Sequence, residues 1–365
     1  MKFFCDRSIL LKEIGIANEI IASKNAISIL SNIYIEAQEG ILTIRATDMK
    51  VNFETTVPVD VKEPGAVTVY GDKFFGILNS APDGELEFEQ SDTKFLIKTS
   101  SKRVKFQLKS IASEKFPEFT APSKEFFDIP IKDFKNMIQE TIFAVSDDET
   151  RYFMNGVFFE KTEDKFTMVA TDGRRLAYIS KPAQNVEDFT GIIIPPKILN
   201  LITKRSGDEG MISLSVTDKT LYAQFGTYKL SSVLIEGTFP SYNKVIPKEQ
   251  TRSFTFDRLE MLDALKRVSL FVEQKSHRVY LDIVPGTVSI YCEENEIGDA
   301  REEIPCKYDG EEVTIALNYR YIEEPFKVMD GKEISIHFTE PTKAITIMPE
   351  PACDFFHIVM PMQMD

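Results

Sequence analysis

Histidines and clustered carboxylates are the side chains of this sequence that could carry out catalysis or bind a metal. The chain has three histidines, His277, His337 and His357, and none has the His-Glu-x-x-His spacing that places two zinc ligands on one helix face. The acidic run at residues 147–149 could bind a divalent metal, although an acidic turn after a helix is the commoner reason for such a run. We therefore predict no metal site.

Two aspartates, Asp48 and Asp172, each end an Ala-Thr-Asp segment at the close of a predicted strand. As a pair they could form the carboxylate centre of a metal-dependent nuclease or nucleotidyltransferase, and loss of metal-dependent turnover in Asp172→Asn would favour that alternative. An aspartate at a strand end more often accepts hydrogen bonds from nearby backbone N–H groups. The sequence also lacks a glycine-rich phosphate loop and a nucleophile elbow. We predict no catalytic residue and no cofactor.

The net charge of −14 on 365 residues bears on possible nucleic-acid binding. Sequence-independent affinity for nucleic acid comes from Lys and Arg side chains that neutralise phosphates, so an acidic chain is a poor candidate unless its basic residues share one face. Lys197, Asn200 and Lys204 have the spacing of one helix face, with Arg205 beside it. This face predicts either a weak phosphate-facing surface or a solvated helix without a ligand.

The cysteines and the hydrophobic segments indicate the compartment. Cys5, Cys292, Cys306 and Cys353 lie far apart without paired spacing, which predicts free thiols rather than disulfides or a metal site. No apolar run reaches the ~18 residues that span a bilayer. We expect a soluble cytoplasmic protein.

The elements that would position these residues repeat three times along the chain. Three segments share one ungapped pattern of alternating strand, polar turn and alternating strand: residues 33–48, 157–172 and 279–294. Their starting points are 124 and 122 residues apart, and the same offsets relate Thr68 to Ile192 and Ile193 to Ile315 at a second landmark. A period of this length indicates whole domains, since solenoid repeats are about 20 to 50 residues long. We predict three domains, at residues 1–121, 122–247 and 248–365.

Strand signals dominate each repeat, and two helix signals accompany them. The helices are predicted at residues 7–22, 131–146 and 257–272, before the shared hairpin, and at residues 72–80, 196–205 and 318–329, after the second landmark. Runs of strands with a few helices favour an α+β fold with antiparallel sheets.

The chain resembles a known family, the bacterial DNA polymerase III beta subunits, which are also called sliding clamps. The resemblance covers the whole length and is most specific in Ala-Thr-Asp-Gly-Arg-Arg-Leu at residues 170–176 and Val-Met-Pro-Met at residues 359–362. It implies three tandem copies of the DNA-clamp fold, with antiparallel sheets outside and two helices per domain lining a ring. It further implies a homodimer that encircles duplex DNA without catalysis, and partners that include the polymerase III alpha subunit, clamp-loader subunits, other polymerases and repair proteins.

The resemblance also implies site residues, all of them non-catalytic. A pocket for partner peptides, with Arg175 orienting the peptide by hydrogen bonds, would comprise Met154, Thr171, Gly173, Arg174, Arg175, Leu176, Pro240, Lys244, Val245, Thr342, Ile358, Met360, Pro361 and Met362. DNA-facing residues would be Lys24, Lys197, Lys204 and Arg205. The dimer interface would contain Lys73, Phe106, Leu108, Leu270 and Phe271.

The C-terminal residues depart from the family pattern. The terminus Gln363-Met364-Asp365 lacks the basic residue of the family's frequent ending and adds an acid, so peptide affinity is expected to differ here. A further alternative is a three-domain scaffold that never contacts nucleic acid. Retention on circular but not on linearised DNA would distinguish a ring from the scaffold and from the enzyme.

Overall fold

The structure is a computed structural model that describes residues 1–21, 29–99, 104–183, 186 and 189–364. Lys24, one of the predicted DNA-facing residues, lies outside the described residues. The chain divides into two compact units, the first formed by Met1–Ile131 with Asn200–Leu234 and the second by Lys132–Leu199 with Ile235–Asp365.

Strands make up most of the regular structure. Those in the described residues are β1 (Lys2–Asp6), β2 (Asn32–Gln38), β3 (Ile41–Thr47), β4 (Val51–Pro58), β5 (Asp60–Glu63), β6 (Gly65–Tyr70), β7 (Glu85–Ser91), β8 (Lys94–Thr99), β9 (Lys105–Ile111), β10 (Phe127–Pro130), β11 (Val157–Thr162), β12 (Lys165–Thr171), β13 (Arg175–Pro182), β14 (Phe189–Ile194), β15 (Met211–Val216), β16 (Thr220–Phe225), β17 (Tyr228–Val233), β18 (Arg252–Asp257), β19 (Arg278–Val284), β20 (Thr287–Cys292), β21 (Ala300–Lys307), β22 (Val313–Asn318), β23 (Glu333–Phe338), β24 (Ile345–Glu350) and β25 (Phe355–Val359).

Each unit contains one large antiparallel sheet. In the first unit the strand order is β10-β15-β16-β17-β4-β3-β2-β6-β9-β8-β7-β1-β5. In the second unit it is β14-β11-β12-β13-β25-β24-β23-β18-β21-β20-β19-β22. The middle repeat therefore contributes strands to both sheets: β17 pairs with β4 in one, and β13 pairs with β25 in the other.

The three predicted hairpins form in identical register. The second pair from the turn is Ala37 with Leu42 in the first hairpin, Lys161 with Phe166 in the second, and Ile283 with Val288 in the third. These pairs repeat at offsets of 124 and 122 residues, as the sequence pattern does. The side chains alternate between buried and less buried positions because successive residues of a strand point to opposite faces.

The strand that contains the second landmark, around residues 69, 193 and 315, is displaced from its predicted alignment by one residue from each copy to the next. The strands that flank the hairpins place Val69 opposite Ile33, Ile194 opposite Val157, and Leu317 opposite Val279. The offsets from residue 69 to 194 and from 194 to 317 are 125 and 123, not 124 and 122. The ungapped comparison missed this because the connection after each hairpin grows by a residue between copies.

Six α-helices occur in the described residues, close to the predicted positions: α1 (Arg7–Ile20), α2 (Gly71–Ser80), α3 (Ile131–Gln139), α4 (Pro196–Arg205), α5 (Arg258–Val268) and α6 (Tyr319–Val328). Side-chain caps define several starts, since Asp6 accepts from the Ser8 N–H at 2.8 Å and Asp257 accepts from the Leu259 N–H at 2.9 Å. None of these helices has both the length and the apolar character needed to span a membrane.

Helix α3 ends earlier than predicted. The pattern indicated a helix to residue 146, but α3 stops at Gln139 and a 3₁₀ turn follows at Ile142–Ala144. The Thr141 hydroxyl donates to the Met137 carbonyl at 2.6 Å, and the Thr141 N–H bonds to the Ile138 carbonyl, three residues back. This tightening ends the α-helical ladder while keeping the apolar period of the sequence.

Candidate functional site

An apolar cavity of about 190 Å³ lies in the second unit. Its walls come from the turn between β12 and β13, the segment after Phe239, and the end of β25. The lining residues are Met154, Thr171, Gly173, Arg174, Arg175, Leu176, Pro240, Ser241, Tyr242, Val245, Ile358 and Met360.

Ten of the fourteen residues expected in a partner pocket line this cavity. The other four, Lys244, Thr342, Pro361 and Met362, do not. Met362 is held beside the cavity by its N–H, which donates to the Ala316 carbonyl at 2.8 Å. Sequence reasoning missed Ser241 and Tyr242, although both belong to the Phe-Pro-Ser-Tyr segment that marks the end of the middle repeat.

The cavity has a rigid apolar floor and an exposed rim. Leu176 and Ile358 are each 3% exposed and pack with Val169, Ile193 and Phe239 in one buried cluster. At the rim, Val245 is 56% and Met360 47% exposed. A site with fixed apolar walls and a flexible methionine at its edge can accept apolar side chains of more than one shape.

Tyr242 forms an aromatic side of the cavity. Its ring lies 6.0 Å from the ring of Phe158 and 6.1 Å from that of Tyr178. Its hydroxyl donates a 2.6 Å hydrogen bond to Glu160, and burial together with this carboxylate raises the pKa of Tyr242. The tyrosine is thus neutral and fixed in one orientation.

The turn between β12 and β13 explains the conspicuous sequence around Asp172. Asp172 Oδ1 accepts from the N–H groups of Arg174 at 2.9 Å and Arg175 at 3.1 Å, and Thr171 Oγ1 accepts from the Gly173 N–H at 3.1 Å. Gly173 has φ +89°, and a Cβ there would lie 2.8 Å from the Arg151 guanidinium, so this position requires glycine. The turn brings Thr171 and Arg174 to the cavity.

Arg175 is engaged within the chain. Its Nε donates to Asp172 at 3.0 Å, one terminal nitrogen pairs with Glu324 on α6, and the other donates to the Phe143 carbonyl at 2.6 Å. Its guanidinium also lies 4.6 Å from the centre of the Tyr321 ring. Because these donors already have partners, the side chain that faces solvent beside the turn is Arg174.

The aspartates at the strand ends accept hydrogen bonds from the backbone N–H groups of the turns that follow them. Asp48 Oδ1 accepts from the N–H groups of Lys50 and Val51 at 2.9 and 2.7 Å, which reproduces the Asp172 turn 124 residues earlier. In the run at residues 147–149, Asp148 accepts hydrogen bonds from Thr150 and Arg151, which lower its pKa to about 2. Within the described ranges, no three His, Cys, Asp or Glu side chains lie close enough to hold a metal ion.

The predicted DNA-facing residues within the described part lie on α4. Lys197 is half-buried, Lys204 is exposed, and Arg205 is half-buried. The face has no acid of its own, but Glu19 on α1 lies 3.9 Å from Lys204 Nζ and 2.7 Å from an Arg205 nitrogen. This carboxylate, which the sequence pattern did not reveal, neutralises part of the positive charge.

Two of the predicted interface residues, Phe106 and Leu108, lie on a partly unpaired strand edge. In the first unit, β9 pairs with β8 along residues 105–109 but with β6 only at Ser110 and Ile111, so one side of residues 105–109 has no strand partner among the described residues. Phe106 and Leu108 are half-buried there, and Lys73 on α2 is exposed.

In the second unit, β21 pairs with β20 along residues 300–305 but with β18 only at Cys306 and Lys307. Residues 300–305 therefore have a side without a strand partner in the part of the chain described. Leu270 and Ile297 of this unit are 75% and 79% exposed, and Phe271 is half-buried. Such apolar exposure is typical of an interface.

Comparison with protein families matches the chain in three consecutive parts. The models match the N-terminal domain of the DNA polymerase III beta subunit at residues 1–120, its central domain at residues 128–241 and its C-terminal domain at residues 243–363. The chain belongs to the DNA polymerase III beta subunit family. The predicted α+β fold of three tandem clamp domains with antiparallel sheets is thereby confirmed, and so is the prediction of a non-catalytic subunit.

Individual beta subunits agree over their whole length. The chain is 46% identical to the beta sliding clamp of Treponema pallidum and 30% identical to that of Caulobacter vibrioides, with 100% of both chains covered in each case. A crystal structure of a C. crescentus beta sliding clamp has 28% identity and a TM-score of 0.93, covering 100% of this chain and 99% of the other. The alternative of a metal-dependent nuclease or nucleotidyltransferase centred on Asp48 and Asp172 is therefore wrong, since the family is non-catalytic and both aspartates serve as turn acceptors.

Proposed function

We propose that the chain is a processivity factor that encircles duplex DNA as a head-to-tail homodimer in the cytoplasm. Each chain would contribute three clamp domains, at residues 1–121, 122–247 and 248–365. The ring would tether the polymerase III alpha subunit, clamp-loader subunits, other polymerases and repair proteins through short peptides.

The main support for the proposed ring is the pair of open strand edges. Residues 105–109 of β9 and 300–305 of β21 are of nearly equal length, and an open edge is a template for pairing with another strand. Pairing of β9 in one protomer with β21 in the other is a head-to-tail contact, and two such contacts close a dimer. Leu270 and Phe271 would pack against Phe106 and Leu108 beside this junction.

The number of helices supports a dimer rather than a monomer. Twelve helices with axes about 8 to 10 Å apart define a circle about 30 to 38 Å across. Subtracting a helix diameter of about 10 Å leaves a bore of roughly 20 to 28 Å, which passes a duplex only near its upper end. Six helices would enclose almost no channel, so one chain is not sufficient.

Binding by enclosure fits the charge distribution. Lys197, Lys204 and Arg205 on α4 would attract phosphates without reading bases, together with Lys24. The net charge of −14 then resides elsewhere on the protein and discourages adhesion of DNA to the outside. Retention would be topological, so the ring could slide.

Topology provides the test of the ring. The protein, assembled on nicked circular duplex by a clamp loader, should remain bound in high salt and should be lost when the circle is linearised. Phe106→Asp, which places a charge at the β9 edge, should give a monomer in sedimentation and abolish retention. Equal retention on linear and circular DNA, or a wild-type monomer, would refute the ring.

For partner peptides, the proposed site is the apolar cavity, with leucine and phenylalanine side chains of the peptide on the floor of Leu176 and Ile358. Tyr242 would form one wall, and the exposed Arg174 would meet the peptide's polar groups. The double variant Val245→Ala with Met360→Ala should weaken binding of a polymerase-derived peptide about tenfold or more while the dimer persists.

The control for the cavity is Met364→Ala, because Met364 is 42% exposed and does not line the cavity. Fluorescence anisotropy should show unchanged peptide affinity in this variant. Equal affinity in the double variant and the wild type would place the peptide elsewhere.

A further inference from the structure

A second cavity of the second unit is lined by carboxylates. It has a volume of about 400 Å³ and lies at the opposite end of β25 from the apolar cavity, with Phe355 in its wall. Four acids line it, Glu140, Asp330, Glu350 and Asp354, against one cation, Lys181. Ile179, Met329, Pro349 and Phe355 make much of the remaining wall apolar.

Glu140 is the unusual member of this group. It follows α3 and is only 9% exposed, yet its carboxylate has no hydrogen-bond or ion-pair partner among the described residues. A largely buried carboxylate without a partner is costly, because it has lost much of its hydration and gained no hydrogen bond in return. The Glu140 oxygens are not among the fully enclosed unpaired atoms of the described residues, and they remain accessible from the cavity that Glu140 lines. Burial raises the pKa of Glu140 to about 7, Lys181 acts in the opposite direction without forming an ion pair, and Asp330 raises it further.

The lining selects an organic cation over a metal ion. The carboxylates are too far apart for three of them to hold one ion within the described ranges. The apolar wall beside Glu140 suits an aliphatic chain, and a terminal ammonium or guanidinium would supply the missing donors and charge. A cavity of this volume is within the usual range for small-ligand sites.

We propose that this cavity binds an alkylammonium or alkylguanidinium group, with the cation against Glu140 and the aliphatic stem along Ile179, Met329 and Phe355. The group could belong to a free diamine or polyamine, or to a lysine or arginine side chain of a peptide. This site is separate from the apolar cavity, and the proposal does not depend on the ring.

Calorimetric titration of the full-length protein with 1,5-diaminopentane at pH 7 and low salt tests the proposal. Saturable binding of one diamine per chain is expected, whereas 1-pentanol, which has the stem without the charge, should not bind. The charged groups that face Glu140 are Lys181 on β13, Asp330 after α6, and Glu350 and Asp354 on the hairpin from β24 to β25. Because a bound cation favours the ionised carboxylate, binding should release a proton, which is detected by repeating the titration in buffers of different ionisation enthalpy.

Two variants assign the effect to Glu140. Glu140→Gln should fold, because it removes a buried charge at nearly constant shape, and should bind the diamine at least tenfold more weakly without proton release. Glu312→Gln removes an exposed acid that does not line the cavity and should change nothing. Asp330→Asn should weaken binding a few-fold and retain the proton release.

Three results would overturn the proposal: no saturable binding, equal binding by wild type and Glu140→Gln, or displacement of the diamine by MgCl₂ beyond the effect of ionic strength. The source of the cation is resolved by competing the diamine against N-acetyl-lysine amide and its norleucine analogue. Displacement by the lysine compound alone identifies a peptide side chain as a ligand, whereas displacement by neither identifies a free amine.

Discussion

Asp172 and Arg175 are joined by a 3.0 Å hydrogen bond from the Arg175 Nε to Asp172 Oδ2, beneath the apolar cavity. The same guanidinium reaches Glu324 on α6 and the carbonyl of Phe143. One buried side chain therefore connects the β12–β13 turn, the 3₁₀ turn after α3, and α6. Its role is to hold the cavity's walls in place.

Arg175→Met should lower the free energy of unfolding by about 2 to 4 kcal/mol, because it leaves Asp172 Oδ2 and the Phe143 carbonyl without the guanidinium donors. Arg174→Met, at the exposed neighbouring position, should change stability by less than about 0.5 kcal/mol. Urea denaturation of both variants makes the comparison. A stable Arg175→Met that has lost only peptide affinity would show instead that this guanidinium contacts the peptide.

Glu19→Gln should increase affinity for linear duplex DNA. The substitution removes the carboxylate that pairs with Lys204 and Arg205, so their charges become available to phosphates. We expect binding about two- to fivefold tighter at 50 mM salt, with the difference vanishing near 300 mM. Glu39→Gln, an equal charge change on the exposed turn between β2 and β3, is the control. An identical gain there would mean that net charge, and not this helix face, sets the affinity.

His357 should make the second unit sensitive to acid. Its ring is fully buried on β25, where burial and the nearby Arg175 lower its pKa to about 3 from an ordinary 6.5. The unfolded chain therefore binds a proton that the folded chain does not, and stability is lost as pH falls from about 6.5 towards 3. Between pH 7.5 and 4.5, the free energy of unfolding of His357→Phe should fall by about 3 kcal/mol less than that of the wild type, as measured by urea denaturation.

The ring of His357 can also be followed directly. Its Nε2 lies 3.1 Å from the Tyr321 carbonyl, which only accepts, so this nitrogen carries the proton of the neutral ring. The proton resonances of the ring, assigned by their absence in His357→Phe, should stay constant from pH 7 to 4.5. Titration near pH 6.5 would contradict the enclosed neutral state.

Gly76→Ala should stabilise the first unit by about 0.5 to 1 kcal/mol. Gly76 lies inside α2, and a Cβ at this position would have no atom within 4 Å, so alanine gains helix propensity without a clash. Gly156→Ala is the counterpart in the second unit, because its Cβ would lie 2.6 Å from the Ile194 carbonyl oxygen. Thermal unfolding should show a higher midpoint for the first variant and a lower one for the second; a lower midpoint in Gly76→Ala would disprove the argument.

The sequence predicted local elements well because their causes are local. The alternation of apolar and polar residues predicted the correct register of the three hairpins. Apolar residues at helical spacing located all six helices to within a few residues, except for the end of α3. The end of α3 depends on the hydrogen bond from the Thr141 hydroxyl to the Met137 carbonyl, which the spacing of apolar residues does not predict. The ungapped comparison of the second landmark failed by one residue because connections can lengthen without changing the strands.

Contacts between distant segments were harder to predict. The partners of Arg175 and the pairing of Glu19 with Arg205 join residues 149 and 186 positions apart, and no pattern in either segment indicates them. Tyr242 could have been predicted from the Phe-Pro-Ser-Tyr segment at residues 239–242, but only the fold shows that its ring borders the cavity. No sequence pattern distinguishes Glu140 from the other acid of the predicted helix at residues 131–146, and only the fold shows that Glu140 is buried.

Both sheets run across the limits of the sequence repeat, because β17 joins β4 and β13 joins β25. An isolated middle repeat would expose two long strand flanks that the intact chain covers, and exposed flanks of this kind lead to aggregation. The points at which the pattern starts again are therefore poor places to cut. Each compact unit is also built from two separate stretches of chain, so no single cut separates the two units.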